Sequence, residues 1–343
     1  MLVAGSLQGE LSIFSPSDPL PLFATQGLGA ITLIKSGPLA GSPDPVLFVF
    51  TIEGQLHVYS PKLEQGLREL EPLFTAEVTC NIAACIVGDV DGDGRDEVLV
   101  GTSDGVLVCW RYEQGRDEPF ARLKYWQLQY EITALELVKT PTLSYVFIGQ
   151  SDGLFTTMLA NGTENPERLG TKNIITEKLV EPGASLFLSH IVSGHMLAVN
   201  GFGKVLYLTD VTHKAGKFSA TPVVQVTIVK IPIFADLMVL EGRPPVGVIG
   251  CSDGTIFFLS PNVWNYTRYE EVATAYRVGT FSCSEDRNTM AVAVAGRSKR
   301  LAVFYDLPFL SVSCKQNKLP NFISTARTEL EDLRKILSKC PLR

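Results

Sequence analysis

Charge is scarce in this chain of 343 residues: Asp, Glu, Lys and Arg together make 19% of it, and the formal net charge is −6. A thinly charged, acidic protein argues against gripping a nucleic-acid backbone, which needs a dense basic face. The densest basic group, Arg297, Lys299 and Arg300, falls on one expected turn and makes only a weak local field. Long apolar runs are missing too. The most apolar stretch, residues 223–240, is broken by Gln225, Lys230, Pro232 and Asp236, so it is not expected to span a bilayer. Met1–Leu11 has neither the basic start nor the apolar centre of a secretory signal, so none is expected. Histidine is rare, and the four present (His57, His190, His195 and His213) show no zinc spacing. No glycine-rich phosphate loop opens a helix. The seven cysteines (Cys80, Cys85, Cys109, Cys251, Cys283, Cys314 and Cys340) are odd in number and lack metal-type pairing. They read as free, buried thiols of a reducing compartment, where the sequons at Asn161 and Asn265 are chance matches.

What the chain does have is repetition. "GTSDG" (101–105), "GQSDG" (149–153) and "GCSDG" (250–254) each match G-x-S-x-G, the turn that presents a nucleophilic serine in some hydrolases. One chain has no use for three identical nucleophiles. A nucleophile elbow also leads into a helix, whereas strand-forming residues follow Gly105, Gly153 and Gly254. Ser103, Ser151 and Ser252 therefore read as turn residues.

Seven units share the pattern of a β-branched run, a few small or polar residues, and a second β-branched or aromatic run. They are residues 2–14, 47–59, 98–110, 146–158, 197–209, 247–259 and 292–304, with the eighth position at Gly9, Gly54, Gly105, Gly153, Lys204, Gly254 and Lys299. Successive positions lie 45 to 51 residues apart. Each unit is a hairpin, and Asp-Gly or Glu-Gly suits a tight turn whose central residues take positive φ. Further strand-like runs precede and follow several hairpins, for instance 81–90, 131–138 and 121–130. Strand signals at this period predict an all-β fold, a seven-bladed β-propeller over residues 1–314. The first hairpin begins at Leu2, so blade one lacks its innermost strand, and an N-terminal piece carrying that strand is expected beyond the sequence at hand. The alternative is a six-bladed ring with the first hairpin loosely attached. Residues 315–343 form a tail in which Phe322, Ala326, Leu330, Leu333 and Leu337 share one face of an expected helix over 321–340. That helix is suited either to the propeller rim or to a partner's groove.

"DVDGDGRDE" (89–97) carries the sharpest chemistry. Asp89, Asp91 and Asp93 alternate, Gly94 permits a sharp turn, and Glu97 falls where a further ligand belongs. With the Arg95 carbonyl they begin the oxygen set that calcium prefers, so one Ca2+ per chain is a candidate cofactor. The competing reading is an empty loop held by Asx-type hydrogen bonds.

Residues 88–105, "GDVDGDGRDEVLVGTSDG", resemble the FG-GAP repeat of integrin α propellers, in which such acidic loops bind calcium. The chain further resembles the FG-GAP proteins that serve in the KICSTOR complex. Carrying that likeness are "LVCWRYEQG" (107–115), residues 237–259, residues 271–295 and "LAVFYDL" (301–307). The resemblance implies a non-enzymatic scaffold with a kaptin-like partner, placed peripherally on the cytoplasmic side of the lysosomal membrane. There it would position a GATOR-type GTPase-activating complex and restrain mTOR complex 1 under amino-acid shortage. The likeness departs at the N-terminus, where the family has a further strand-bearing segment. Two other classes stay open: an extracellular, calcium-dependent adhesion or lectin-type propeller, and an FG-GAP enzyme, which needs a histidine cluster.

Overall fold

The structure is a computed structural model that describes residues 2–15, 20–60, 70–91, 93–113, 115, 119–139, 144–151, 155–159, 167–168, 187–192, 194–214, 217–239, 242–260, 263–284, 287–305 and 307. All regular elements among these residues are strands, and they form seven antiparallel sheets whose strand order follows the chain. The first sheet holds β1 (Leu2–Gly5), β2 (Leu11–Phe14) and β3 (Pro21–Thr25). The second holds β4 (Ile31–Gly37), β5 (Val46–Thr51), β6 (Gln55–Tyr59) and β7 (Phe74–Glu77). The third holds β8 (Ile82–Gly88), β9 (Glu97–Thr102), β10 (Val106–Tyr112) and β11 (Phe120–Gln127). The fourth holds β12 (Ile132–Lys139), β13 (Ser144–Gln150), β14 (Phe155–Leu159) and β15 (Glu167–Arg168). The fifth holds β16 (Phe187–Val192), β17 (His195–Asn200), β18 (Lys204–Lys214) and β19 (Lys217–Thr227). The sixth holds β20 (Pro232–Met238), β21 (Val246–Cys251), β22 (Thr255–Ser260) and β23 (Val263–Arg268). The seventh holds β24 (Ala273–Ser284), β25 (Arg287–Gly296) and β26 (Leu301–Phe304).

The residue pattern of each strand follows from where its sheet stands. Strands β5, β9 and β21 are buried along their whole length, because a sheet sandwiched between two others has no wet face. Their sequences are accordingly near-continuous apolar runs rather than alternations. The outer strands β7 and β11 alternate between partly covered and exposed positions, as strands with one wet face do. Among the described residues β1 of the first sheet pairs with β2 alone and takes the edge, in the place that β5 holds in the second sheet, one strand in from β4. The expected helix over 321–340 lies outside the described residues, as does the boundary at residues 314–315.

The core is a series of sheet-to-sheet interfaces. One cluster joins Leu11, Ile13 and Phe23 of the first sheet to Leu47, Val49 and Tyr59 of the second. Like clusters join the second to the third, the third to the fourth, and so on to the seventh. Among the described residues the last sheet meets the first through an exposed ion pair, Lys299 Nζ to Glu10 Oε2 at 3.4 Å. The innermost strands also touch in sequence, β4 against β8, β8 against β12, β12 against β16, β16 against β20 and β20 against β24.

Candidate functional site

In the first and third of the repeated glycine turns, both glycines answer to a steric need. In "GTSDG" the amide of Gly105 donates to the Thr102 carbonyl at 3.2 Å, and Gly105 alone of the turn is left-handed, with φ 82°. Asp104 keeps negative φ, so this is a type I turn closed by a left-handed glycine, not the doubly left-handed turn expected from Asp-Gly. A Cβ on Gly105 would lie 2.9 Å from the carbonyl oxygens of Leu128 and Tyr130. The first glycine acts elsewhere: a Cβ on Gly101 would lie 2.5 Å from Cγ2 of Ile132 in the next sheet. Gly250 stands in the same relation to the Tyr276 ring, again at 2.5 Å. Strands β10 and β22 follow the turns that hold Ser103 and Ser252, and β14 is the next element after Ser151, so none of the three heads a helix. In the fifth unit the turn is one residue earlier than the repeat spacing implied. Gly203 (φ 76°), not Lys204, donates to Asn200 and closes it.

The acidic loop between β8 and β9 is the most polar constellation among the described residues. Ligand oxygens of Asp89, Asp91 and Glu97 lie within 4.8 Å of one another, with Glu97 fully buried. Asp93, expected as a ligand, is not part of that group, and Arg95, expected to offer its carbonyl, is seen to donate its backbone amide to Asp93 Oδ1 at 2.9 Å. Two further backbone amides hold the loop: Asp93 N–H donates to Asp91 Oδ1 (3.2 Å) and Gly94 N–H to Asp89 Oδ2 (3.2 Å). Val90 N–H donates to Glu97 Oε2 at 3.0 Å.

Sequence reasoning missed the residue that completes this cluster. Arg111 on β10 sends Nε to Glu97 Oε1 (2.8 Å) and Nη2 to Glu97 Oε1 (2.5 Å), Asp93 Oδ2 (2.8 Å) and Asp91 Oδ2 (3.2 Å). The signal was available in the hairpin register. Once the turn is placed at 102–105, β9 and β10 pair antiparallel and put Arg111 directly opposite Glu97. Burial raises the Glu97 carboxyl above its ordinary range, although Arg111 and the Val90 amide oppose it. Burial works the same way on Asp93, but the Arg95 amide and Arg111 outweigh it and hold that carboxyl low. The Arg111 guanidinium thus stands against Asp91, Asp93 and Glu97, three of the four acidic side chains singled out in the sequence.

A second feature lies at the turn end of the sheets. Five crossovers among the described residues are stitched to the turn they leave: the Leu28 amide donates to the Gly9 carbonyl at 3.2 Å, and the Val78, Leu128, Ile228 and Tyr269 amides donate to the carbonyls of Gly54, Gly105, Gly203 and Gly254 at 2.8 Å. The next turn then bonds back, as Ser252 N–H does to Ile231 O (3.0 Å) and Arg297 N–H to Val272 O (3.0 Å). Out of this stitched end project Leu7, Ile52, Phe202, Val229, Ile231 and Val272, with Val229 and Ile231 79% and 65% exposed. Lys230, between those two, is tied to Asp253 at 2.6 Å. The sequence did not show this surface, because isolated apolar residues in turns look alike until the turns are brought to one end.

The sequence profile of the family described as Integrin-alpha FG-GAP repeat-containing protein 2 matches residues 17–212. Mouse (Mus musculus) KICSTOR complex protein ITFG2 is 20% identical over 364 aligned residues, covering 89% of this chain and 78% of that protein. Its bovine (Bos taurus) counterpart is 24% identical over 183 residues, covering 48% of this chain and 34% of that protein. Among solved structures, BBS1N in complex with ARL6DN superposes with a TM-score of 0.64 at 13% identity, covering 92% of this chain and 89% of that one. That likeness is one of fold alone, and the fold is β-propeller-like.

Proposed function

The chain belongs to the integrin-alpha FG-GAP repeat-containing protein 2 family, and on that premise we propose that it is a non-enzymatic, protein-binding scaffold. The observation that carries this reading is the alignment with a KICSTOR complex protein across 89% of the chain. The geometry suits it. Six exposed apolar side chains stand on turns and crossovers fixed by backbone hydrogen bonds, so the surface is rigid before any partner arrives. Preordered apolar residues on a rigid frame lose little entropy on docking, and exposed apolar side chains collected at one end of the sheets offer a partner something to cover. The finer proposal is a seven-bladed propeller serving as a subunit of a KICSTOR-like complex. It would bind a kaptin-like subunit, help bring a GATOR-type complex to the lysosomal surface, and so restrain mTOR complex 1 when amino acids are short.

Affinity capture of the tagged full-length product from cells, read by mass spectrometry, tests this proposal. The expected result is recovery of kaptin-like and GATOR-type subunits by the wild type, and a loss of about tenfold or more with V229D/I231D, if those residues are central to the contact. Fluorescence microscopy of the same cells is expected to place the wild type on lysosomes. Capture of an integrin β-like chain or a glycan instead overturns the proposal.

A further inference from the structure

We propose that Arg111 is the resident cation of the loop at residues 89–97, replacing the calcium that acidic loops of FG-GAP type would otherwise take. Three observations carry this. Glu97 is the one carboxylate among the described residues that is fully buried, and a buried charge demands a partner of opposite sign. Arg111 meets that demand from the directly opposed position of the neighbouring strand, with its own side chain only 12% exposed. Seven of the eight carboxylate oxygens also already accept a hydrogen bond within the protein. Both carboxylate oxygens of Asp91, of Asp93 and of Glu97 accept hydrogen bonds from Arg111 or from loop amides, and Asp89 Oδ2 accepts one from Gly94.

Calcium needs six to eight oxygens at about 2.3–2.6 Å around a common centre. The Nη2 atom of Arg111 already stands 2.5 to 3.2 Å from three of the four candidate carboxylates. An ion and this guanidinium cannot occupy the same place, and the guanidinium is covalently attached at high effective concentration. The fixed charge makes the β8–β9 loop independent of ambient calcium. It also ties that loop to β10, because Arg111 reaches across the hairpin to the two aspartates.

Three full-length proteins test the assignment: wild type, R111Q and E97Q/R111Q, each melted in EDTA and in 5 mM calcium chloride, with calcium titrated by calorimetry. The wild type is expected to melt at the same temperature in both buffers and to give no calcium heat. R111Q leaves Glu97 charged, buried and unpaired, so its melting temperature in EDTA is expected to fall by about 5–10 °C. Calcium is then expected to bind R111Q and restore most of that loss, since the vacated seat is lined by carboxylates. E97Q/R111Q removes both charges together and is expected to melt above R111Q in EDTA and to ignore calcium. Should R111Q not accumulate, this double variant against the wild type still carries the test through its stability and its calcium response. A wild type that binds calcium and melts higher in it overturns the proposal, as does an R111Q that is as stable as the wild type in EDTA.

Discussion

Burial sets the chemistry of His57 and His195 more than their partners do. His57 on β6 has Nδ1 3.1 Å from Thr75 Oγ1 and Nε2 3.3 Å from the Leu28 carbonyl, and burial lowers its pKa below 6.5 despite the help of that carbonyl. His195 is shifted the same way by burial, against the field of Asp210. Both rings are thus neutral in the fold but take a proton in the unfolded chain below pH 6.5. Stability is full above that pH and is lost as pH falls toward the folded pKa, by up to about 1.4 kcal/mol per pH unit for each group. Glu97 has the opposite sign: its raised pKa makes the fold gain as pH falls toward 4.5. Urea midpoints between pH 7.5 and 5.5 are therefore best compared with those of H57Q, which keeps the hydrogen-bonding capacity and cannot titrate. The variant is expected to fall less steeply on acidification, and parallel slopes would sink this account. That His57 lies on a strand was legible in the sequence. Its lowered pKa was not, because the burial that causes it comes from segments distant in the chain.

Among the elements, the hairpin is the unit that the sequence describes best. The apolar runs, the turn and its left-handed glycine all act within some fifteen residues, so local chemistry decides them. The first glycines of the first and third G-x-S-x-G turns, Gly101 and Gly250, are different, because their reason sits in the next sheet. Ile132 fills the space that a side chain at position 101 would need. G101A is expected to cost about 1–3 kcal/mol through overpacking, and I132A about 2–5 kcal/mol through the cavity it leaves. If close approach is the cause, the double variant costs clearly less than the two together, since the added methyl enters the emptied space. Strict additivity in denaturant melts would remove the packing explanation. Arg111 sits between these cases. Its partner Glu97 is fixed by hairpin register and could be read from spacing alone, but its reach to Asp91 and Asp93 depends on how the loop folds back.

The molecule as a whole is held by a chain of interfaces between successive sheets, and the three buried thiols among the described residues are dispersed in different interfaces instead of gathered in a site. Burial pushes Cys85, Cys109 and Cys251 up to about 12, far from the thiolate that alkylating reagents attack. Cys80 is exposed in the crossover after β7. Iodoacetamide at pH 8, followed by peptide mass spectrometry, is expected to modify Cys80 in the folded protein. It is expected to reach the other three only once urea is added. Rapid native labelling of Cys109 or Cys251 would show that the interfaces open readily. Where the last sheet meets the first, the described contact is the exposed Lys299–Glu10 pair, and such pairs contribute little, from nothing to about 1 kcal/mol. Among the described residues, the six interfaces within the series contribute far more than that ion pair.

The sequence alone determined the strand class, the period, the hairpin turns and the acidic loop, since each depends on residues close in the chain and on backbone geometry that a few side chains dictate. Tertiary structure decided three things: which glycines make room for a neighbouring sheet, which side chains gather at the turn end, and which cation sits among the carboxylates. Those are matters of distance between segments that the chain itself keeps apart, and only the packing of sheet on sheet sets them.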